Sequence, residues 1–288
     1  KQLKTLIKDA TIINEGLKFK GSVLISNDTI EKIFPYITPE NVISSQVRII
    51  DASGLYLIPG VIDSHVHFRE PGLTYKAEIA TESKAAVAGG ITSYMEMPNT
   101  IPQTITLELL EEKFLRAAEV SSANYSFYLG ATNDNLDEIN RANPADICGL
   151  KLFMGSSTGN MYVNDEVVLN EVFKNSPMRI SAHCEDEQTI QTNLREAISK
   201  YNSDLPASCH SIIRSEEACY RSSSKAVELA SGYNTKLHVL HLSTAKEMQL
   251  FSSGQVKEKN ITAEVCIHHL WFDEKDYKIQ GNLIKWNP

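Results

Sequence analysis

Two histidines, His65 and His67, stand two residues apart just after an apolar run at residues 58–63. Residues two apart on an extended strand project to the same side, so both imidazoles could reach a single ion. Imidazole is a preferred ligand of zinc and similar divalent metals. The spacing alone is a weak signal, because a random pair of histidines is more often a surface feature.

Further side chains able to bind metal lie at the ends of later apolar runs. Lys151 stands in Gly-Leu-Lys-Leu-Phe, His183 follows Arg-Ile-Ser-Ala, and His241 follows Leu-His-Val-Leu. If these runs are parallel strands of one barrel, the side chains at their ends meet at one rim, where barrel active sites are built. Each histidine alone could be a satisfied polar group, but the set is better explained by a shared metal centre.

A lysine inside an apolar strand is costly to bury as a cation, which leaves two alternatives for Lys151. It could form an ion pair, with Glu185 or Asp63 as the partner. Burial could instead lower its pKa, and the neutral amine could then capture carbon dioxide as a carbamate. Such a carbamate is an anionic oxygen ligand able to bridge two metal ions.

The other histidines are predicted to be structural. His238 precedes His241 on the same predicted strand, and we expect it to point outward or to another layer. His268 and His269 follow the last predicted strand, and we expect them to pack. His210 lies in a polar stretch and is expected at the surface.

The elements that must position these residues alternate along the chain. Seven short apolar runs predict strands at residues 58–63, 92–97, 125–129, 149–153, 179–182, 237–240 and 261–265. Amphipathic stretches predict helices at residues 76–88, 106–120, 165–174, 215–230 and 245–252. Strands that alternate with helices predict parallel β/α units. The closed barrel of this kind has eight strands, and we expect the eighth to lie beyond residue 288.

The first 56 residues have a different sequence pattern. Short β-type runs at residues 4–13, 22–26 and 29–34 surround Asn27-Asp28, which predicts a hairpin. The predicted fold is therefore α/β, a TIM-like (β/α) barrel with a small N-terminal β-sandwich module. We expect residues 1–56 to form part of the sandwich and residues 57–288 to form the metal-binding barrel, incomplete at its C-terminus.

Composition narrows the classes of function. The 288 residues carry a net charge of −8 without a basic cluster, which disfavours nucleic-acid binding. No stretch is long and apolar enough to predict a membrane span, so no membrane partner is expected. The five scattered cysteines form no C-x-x-C pair and indicate reduced thiols in a cytoplasmic protein.

Together these segments resemble one family. The stretch Pro-Gly-Val-Ile-Asp-Ser-His-Val-His-Phe-Arg-Glu-Pro-Gly at residues 59–72 is similar to the signature of dihydroorotases in the amidohydrolase superfamily. Met-Pro-Asn-Thr at 97–100 resembles their second motif, and Gly-Leu-Lys-Leu-Phe at 149–153 their third. Ala-His-Cys-Glu at 182–185 and Leu-His-Leu-Ser at 240–243 resemble the fourth and fifth. Asn287-Pro288 resembles the start of the sixth.

The resemblance implies a binuclear zinc centre. His65 and His67 would bind one ion, His183 and His241 the other, and carboxylated Lys151 would bridge the two Zn²⁺ ions. Some dihydroorotases have an aspartate as the bridge, whereas a lysine is also the pattern of hydantoinases.

Substrate contacts also follow from the resemblance. Arg69 would clamp the substrate carboxylate with its bidentate fork, Asn99 would add hydrogen bonds to that group, and Asn287 would contact the ring. The family places a metal-binding aspartate, the general acid and base, after the eighth strand. This aspartate is expected beyond residue 288.

The implied reaction is the reversible interconversion of dihydroorotate and N-carbamoyl-aspartate in de novo pyrimidine synthesis. A hydroxide bridging the two metals would attack the ring carbonyl, and the carboxylic acid would protonate the departing nitrogen. The small-molecule substrate is the expected partner, and the chain could form a homodimer. A Gly-Ser-Ser-Thr-Gly run at residues 155–159 lacks the G-K-S/T of a phosphate loop and is expected to be a mobile loop near the site.

Two other functions remain open. An allantoinase or a hydantoinase would have nearly the same metal ligands, although Arg69 and Asn99 favour a substrate that carries a carboxylate. A dihydroorotase-like scaffold without activity is the second alternative. The presence of all four histidines and Lys151 argues against it.

Overall fold

The computed structural model describes residues 3–44, 46–155, 161–202 and 204–288. Within it the chain divides into two compact units, Lys1–Val61 and Ile62–Pro288. The loop expected at residues 155–159 lies, apart from its first residue, outside the described residues. No helix of the described residues has the length and apolar character needed to cross a membrane.

The first unit is built on a β-sheet. Its strands are β1 (Lys4–Asn14), β2 (Leu17–Ser26), β3 (Thr29–Pro35), β4 (Val47–Asp51) and β5 (Tyr56–Leu57). They are ordered β3-β2-β1-β4, and β5 pairs with β1. The hairpin predicted at Asn27-Asp28 joins antiparallel β2 and β3. Inward residues of β1 and β2, Leu6, Ala10, Ile12, Val23 and Leu24, form the cores of this unit.

The second unit contains a parallel sheet that curls into a half-barrel. Its strands are β6 (Val61–Val66), β7 (Ile91–Glu96), β8 (Asn124–Gly130), β9 (Gly149–Phe153), β10 (Ile180–His183), β11 (Leu237–Val239) and β12 (Ile261–Ala263). Within the described residues these seven strands lie side by side in sequence order. Each corresponds to one of the seven predicted strands, and the TIM-like α/β prediction is confirmed.

Helices follow most of these strands. They are α1 (Ile79–Ala88), α2 (Leu107–Val120), α3 (Leu136–Arg141), α4 (Glu166–Asn175), α5 (Glu187–Tyr201), α6 (Cys209–Ile213), α7 (Glu216–Tyr233), α8 (Ile267–Trp271) and α9 (Tyr277–Gln280). The helix expected at residues 245–252 is instead a short 3₁₀ helix, Lys246–Leu250. Helix α1 begins at Ile79 rather than at residue 76, because Glu78 caps it.

The core of the barrel lies between the sheet and the helices outside it. Every residue of β9 is buried, as expected for a parallel strand covered on both faces. Leu150 and Leu152 of β9 belong to one cluster with Val172 and Phe173 of α4. This packing holds β9 rigidly and fixes the position of Lys151, which lies between the two leucines.

Side-chain caps fix the points at which the chain leaves the strands and enters the helices. The Asp186 side chain accepts a hydrogen bond from Thr189 N at 2.9 Å and caps α5, which begins four residues after β10 ends. Thr106 caps α2 and Asp165 caps α4 in the same way. Such caps stabilise a helix by about 0.5–2 kcal/mol each and limit the freedom of the preceding loop.

Candidate metal centre

A cavity of about 380 Å³ opens at the carboxyl ends of the barrel strands. All eight site residues predicted from the sequence line it: His65, His67, Arg69, Asn99, Lys151, His183, His241 and Asn287. Its other lining residues are Phe153, Arg214, Lys285 and Trp286. Side chains far apart in the sequence are therefore brought to one concave surface.

The first pair of imidazoles comes from the end of β6. His65 lies within β6 and His67 follows it, and their Nε2 atoms are 3.3 Å apart. The ring centroids are 5.2 Å apart and tilted by 57°. The alternation of an extended strand thus aims both rings into the same space.

The second pair joins the ends of β10 and β11. His183 is the last residue of β10, and its Nδ1 lies 2.9 Å from Nε2 of His241. The His241 ring is also 5.3 Å, between centroids, from the ring of His65. The four imidazoles therefore form a continuous cluster. His241 has φ +41°, a conformation that is strained for a residue with a Cβ and is common at functional sites.

A carboxylate holds one ring of each pair. Glu264, just after β12, has Oε1 2.5 Å from Nδ1 of His65, and Glu185 has Oε2 2.7 Å from Nε2 of His183. Because an ionised carboxylate can only accept, these ring nitrogens carry the proton. The opposite nitrogen of each ring then presents a lone pair towards its partner histidine. Carboxylates that orient metal-binding histidines in this way are a common feature of metal sites.

Glu185 is itself anchored. It is completely buried, and Nη1 of Arg214 donates to the same Oε2 that accepts from His183. Glu264 is shared as well, because its Oε2 lies 3.2 Å from Nε2 of His238. His238, which the sequence predicted to be structural, thus contacts the carboxylate that orients His65.

Lys151 lies at the base of the cavity. Only 1% of its surface is exposed, and Nζ is 4.4 Å from the centre of the Phe153 ring. It forms no ion pair with a carboxylate of the described residues, so neither Glu185 nor Asp63 pairs with it. Burial lowers the pKa of Lys151 to about 7, although nearby Glu264 opposes this effect.

The cluster suits divalent metal ions. Burial lowers the pKa of His65 and His183, and lowers that of His67 and His241 well below the usual value. The rings are therefore neutral at physiological pH, the form that binds metal. Nδ1 of His241 is buried without a hydrogen-bond partner in the described part of the chain. Four neutral imidazoles, beside a lysine whose pKa is lowered to about 7, are a donor set that fits ions of the zinc type.

Arg69 and Asn99 lie on two neighbouring loops of the cavity wall. Arg69 Nη1 is 3.5 Å from the Asn99 carbonyl oxygen, and Asn99 is 5% exposed. Arg69 has φ +66°, so its backbone is held in the left-handed region. Lys285 lines the same cavity, and these two cationic side chains favour an anionic ligand.

The two loops are held together by close backbone packing. Ile101 N donates to the Pro71 carbonyl at 3.1 Å, and a Cβ on Gly72 would lie 1.9 Å from the Ile101 carbonyl oxygen. Gly72 also has φ +80°. Only glycine fits there. The Glu70 side chain, between these loops and the helices, accepts from Ile79 N at 2.8 Å and from Arg116 Nε at 2.7 Å.

Sequence reasoning did not find the roles of Glu264, Arg214 and Lys285. Glu185 was considered only as an ion-pair partner for Lys151, although its position two residues after His183 is a signal that both face one side. Glu264 lies near the end of the last predicted strand, at residues 261–265, which is a weaker signal. Arg214 precedes α7 and Lys285 follows a short 3₁₀ helix, so no local pattern relates either to the cavity.

Comparisons with known proteins show which family the chain resembles. The family described as Dihydro-orotase-like matches residues 54–246. The dihydroorotase of Methanosphaera stadtmanae is 32% identical over 274 residues, which cover 93% of this chain and 60% of that protein. The dihydroorotase of Pediococcus pentosaceus is 31% identical over 292 residues, covering 99% of this chain and 65% of that protein.

A solved structure gives the same result for the fold. The L-hydantoinase (dihydropyrimidinase) of Arthrobacter aurescens matches with a TM-score of 0.90 and 25% identity, over 99% of this chain and 63% of that one. The chain thus spans less than two thirds of the length of these relatives. The motifs, the barrel and the match over residues 54–246 lead to one conclusion: the chain belongs to the dihydroorotase-like family.

Proposed function

We propose that this chain carries the metal-binding and substrate-binding residues of a dihydroorotase, which interconverts dihydroorotate and N-carbamoyl-aspartate. The observation that supports this most is the convergence of His65, His67, His183 and His241 with Lys151 in one cavity. The curated dihydroorotases that match over more than nine tenths of the chain add support.

In this proposal the residues would hold two Zn²⁺ ions. His65 and His67 would bind one ion, His183 and His241 the other, and Lys151, once carboxylated, would supply an anionic oxygen ligand. Its burial and lowered pKa favour the neutral amine that reacts with carbon dioxide. Bound metal ions of this kind supply Lewis-acid polarisation of an amide carbonyl and activation of water at neutral pH.

Arg69 and Asn99 bind and orient the substrate carboxylate. The guanidinium of Arg69 can form two parallel hydrogen bonds to it, and the nearby Asn99 amide can add a third. Asn287 lies on the same cavity and contacts the ring. Fixing the ring in this way places its amide against the histidine cluster, which lowers the entropic part of the barrier.

Proton delivery to the leaving nitrogen would fall to the aspartate that the family resemblance implies. Glu185 and Glu264 do not take this role, because each is already bound to a histidine. Their part is to hold the ring protons of His183 and His65, so that the other ring nitrogens stay free for metal.

The competing function is that of a hydantoinase, favoured by the fold match to the Arthrobacter enzyme. The two functions differ at the substrate carboxylate, which hydantoin and dihydrouracil lack. The cationic side chains of Arg69 and Lys285, which both line the cavity, favour dihydroorotate.

The test uses the protein as it occurs in the cell, loaded with zinc and bicarbonate. We expect turnover of dihydroorotate and little turnover of dihydrouracil, its analogue without the carboxylate. Arg69→Met should weaken binding of dihydroorotate at least tenfold and leave binding of dihydrouracil nearly unchanged. Preferred opening of dihydrouracil, hydantoin or allantoin would establish a competing cyclic amidohydrolase, and failure to retain metal would favour the inactive scaffold.

A cytoplasmic location is part of the same proposal. All five cysteines, Cys148, Cys184, Cys209, Cys219 and Cys266, are unpaired, which suits a reducing compartment. The small-molecule substrate is the proposed partner, and a homodimer stays a prediction.

A further inference from the structure

A second group of possible metal ligands lies beside the cavity. One ligand atom from each of Cys266, His268 and His269 lies within 4.8 Å of the other two. Cys266 precedes α8 and the two histidines lie within it. Neither the resemblance nor the proposed reaction uses these three residues.

Packing alone does not explain why ring nitrogens of this group are buried without a hydrogen-bond partner among the described residues. The rings of His268 and His269 are 4.2 Å apart, and His268 also lies 5.1 Å from the Trp286 ring. Nε2 of His268 and both ring nitrogens of His269 are nevertheless buried, with no hydrogen-bond partner among the residues described. A buried polar atom without a partner destabilises the protein, so these nitrogens call for a ligand.

The chemistry of the group suits a cation rather than an anion. A thiolate and imidazoles are the ligands preferred by zinc and softer divalent ions. Burial lowers the pKa of His269 to about 4, so its ring is neutral, and burial raises the pKa of the Cys266 thiol to about 11. A bound ion would therefore displace one proton from the thiol to solvent.

The group is open on one side. His268 and His269 line a second cavity, of about 600 Å³, together with Asp273 and Glu274. An ion could enter from this side, and water could occupy its fourth position. On the other side, Cys266 also has its sulfur within 4.8 Å of ligand atoms of His65 and Glu264, so the thiol lies between the two groups.

We propose that Cys266, His268 and His269 form a third metal site, separate from the histidine cluster, that binds one divalent cation of zinc-like softness. The site does not depend on the proposed hydrolase activity. The thiolate of Cys266 distinguishes this site from the main cluster, whose four histidines and Lys151 contain no sulfur.

Cobalt(II) is the probe, since a cobalt–thiolate bond gives a charge-transfer band in the near ultraviolet that nitrogen and oxygen ligands do not give. Titration of the protein with Co²⁺ should produce this band, saturating at one thiolate-bound ion per chain. Cys266→Ser should abolish the band. The double variant His268→Ala/His269→Ala should weaken the binding that gives the band at least tenfold.

Two control variants separate this site from its surroundings. Cys148→Ser removes another partly exposed thiol and should leave the band intact. His65→Ala disrupts the neighbouring cluster and should also leave it intact. Absence of the band in the parent protein overturns the proposal. So does a band that His65→Ala removes and the double histidine variant keeps, because the thiol would then serve the main cluster.

Folding of each variant is checked by circular dichroism. If Cys266→Ser does not fold, the other two variants still locate the ion. An ion at the proposed site is lost in the double histidine variant and kept in His65→Ala, whereas an ion in the main cluster gives the reverse.

Discussion

Glu264 Oε1 lies 2.5 Å from Nδ1 of His65, although 199 positions separate the two residues in the sequence. Burial alone would raise the pKa of Glu264, but hydrogen bonds from His238 and His65 hold it below the usual range. The carboxylate is therefore ionised and keeps the proton of His65 on Nδ1. This contact joins the last strand of the half-barrel to the first and sets the direction in which His65 offers its lone pair.

Replacement of this carboxylate should weaken metal binding without removing a proposed ligand. For Glu264→Gln we expect a loss of about 10–100-fold in Zn²⁺ affinity, the usual effect of losing a carboxylate that orients a ligand. Equilibrium dialysis against a chelator of known affinity measures it. The control is Glu258→Gln, the same substitution at an exposed glutamate nearby in the sequence. Unchanged affinity in Glu264→Gln would show that His65 needs no such support.

Arg214 provides a separate test at the second pair of histidines. Its guanidinium neutralises the completely buried Glu185, which in turn holds His183. Arg214→Met leaves a buried carboxylate with less compensation and should destabilise the fold by about 3–5 kcal/mol. Urea unfolding of the metal-free protein measures this change.

The double variant Arg214→Met/Glu185→Gln distinguishes folding from metal binding. It removes the uncompensated charge, so the free energy of unfolding should recover most of the loss. Metal affinity should stay low, because a neutral amide orients His183 less well than a carboxylate. Recovery of both properties would contradict the role given to Glu185.

The sequence predicted the parts of this site that depend on local pattern. Apolar runs located the seven strands, and the position of each histidine at a strand end placed it at one rim. The polar helix α5, Glu187–Tyr201, was missed because few apolar residues mark its inner face: only Ile190 and Ala197 are buried. The short helices α3, α6 and α9 have too few turns to show a period.

Contacts between distant segments could not be predicted in this way. The pairing of Glu264 with His65 depends on how far the sheet curls, which follows from packing over the whole unit. Arg214 reaches Glu185 because α6 and the turn after it bring residue 214 back over the strand ends. No periodicity within a window of 10 to 20 residues carries this information.

A substitution at Gly72 tests whether the loops of Arg69 and Asn99 must stay in contact. For Gly72→Ala the new Cβ would meet the Ile101 carbonyl oxygen at 1.9 Å, and φ is +80°. Strain and overpacking together should cost about 2–4 kcal/mol and weaken binding of dihydroorotate. Gly90 is the matched control: φ is +89°, but nothing lies within 4 Å of an added Cβ.

Gly90→Ala should therefore cost only the backbone strain, about 1 kcal/mol, and leave ligand binding unchanged. Unfolding in urea and calorimetric titration of each variant give the two quantities. Equal effects of the two substitutions would mean that the contact between the loops adds nothing to the strain of a positive φ.

The buried pair of Glu96 and Lys113 gives a prediction that depends on pH. Lys113 Nζ donates to Glu96 Oε2 and, at 3.2 Å, to the Met97 carbonyl, just before the loop that carries Asn99. Both side chains are almost completely buried. Burial raises the pKa of Glu96, while Lys113 opposes this effect. Lys113→Met removes that opposition, so the pKa of Glu96 should rise further.

The direction in which pH changes the stability follows from how Glu96 titrates in the folded and in the unfolded protein. In the unfolded chain Glu96 ionises near its ordinary pKa of about 4.5, whereas in the folded variant it keeps its proton to higher pH. Below about pH 4.5 both states are protonated, and the variant should lose least stability. As the pH rises through the folded pKa, burial of an unpaired charge should increase the loss to about 3–5 kcal/mol.

Urea unfolding of Lys113→Met at a series of pH values checks this, with Glu96→Gln/Lys113→Met as the control without pH dependence at this position. A loss of stability that is the same at pH 4.5 and pH 8 would show that Lys113 acts by packing alone.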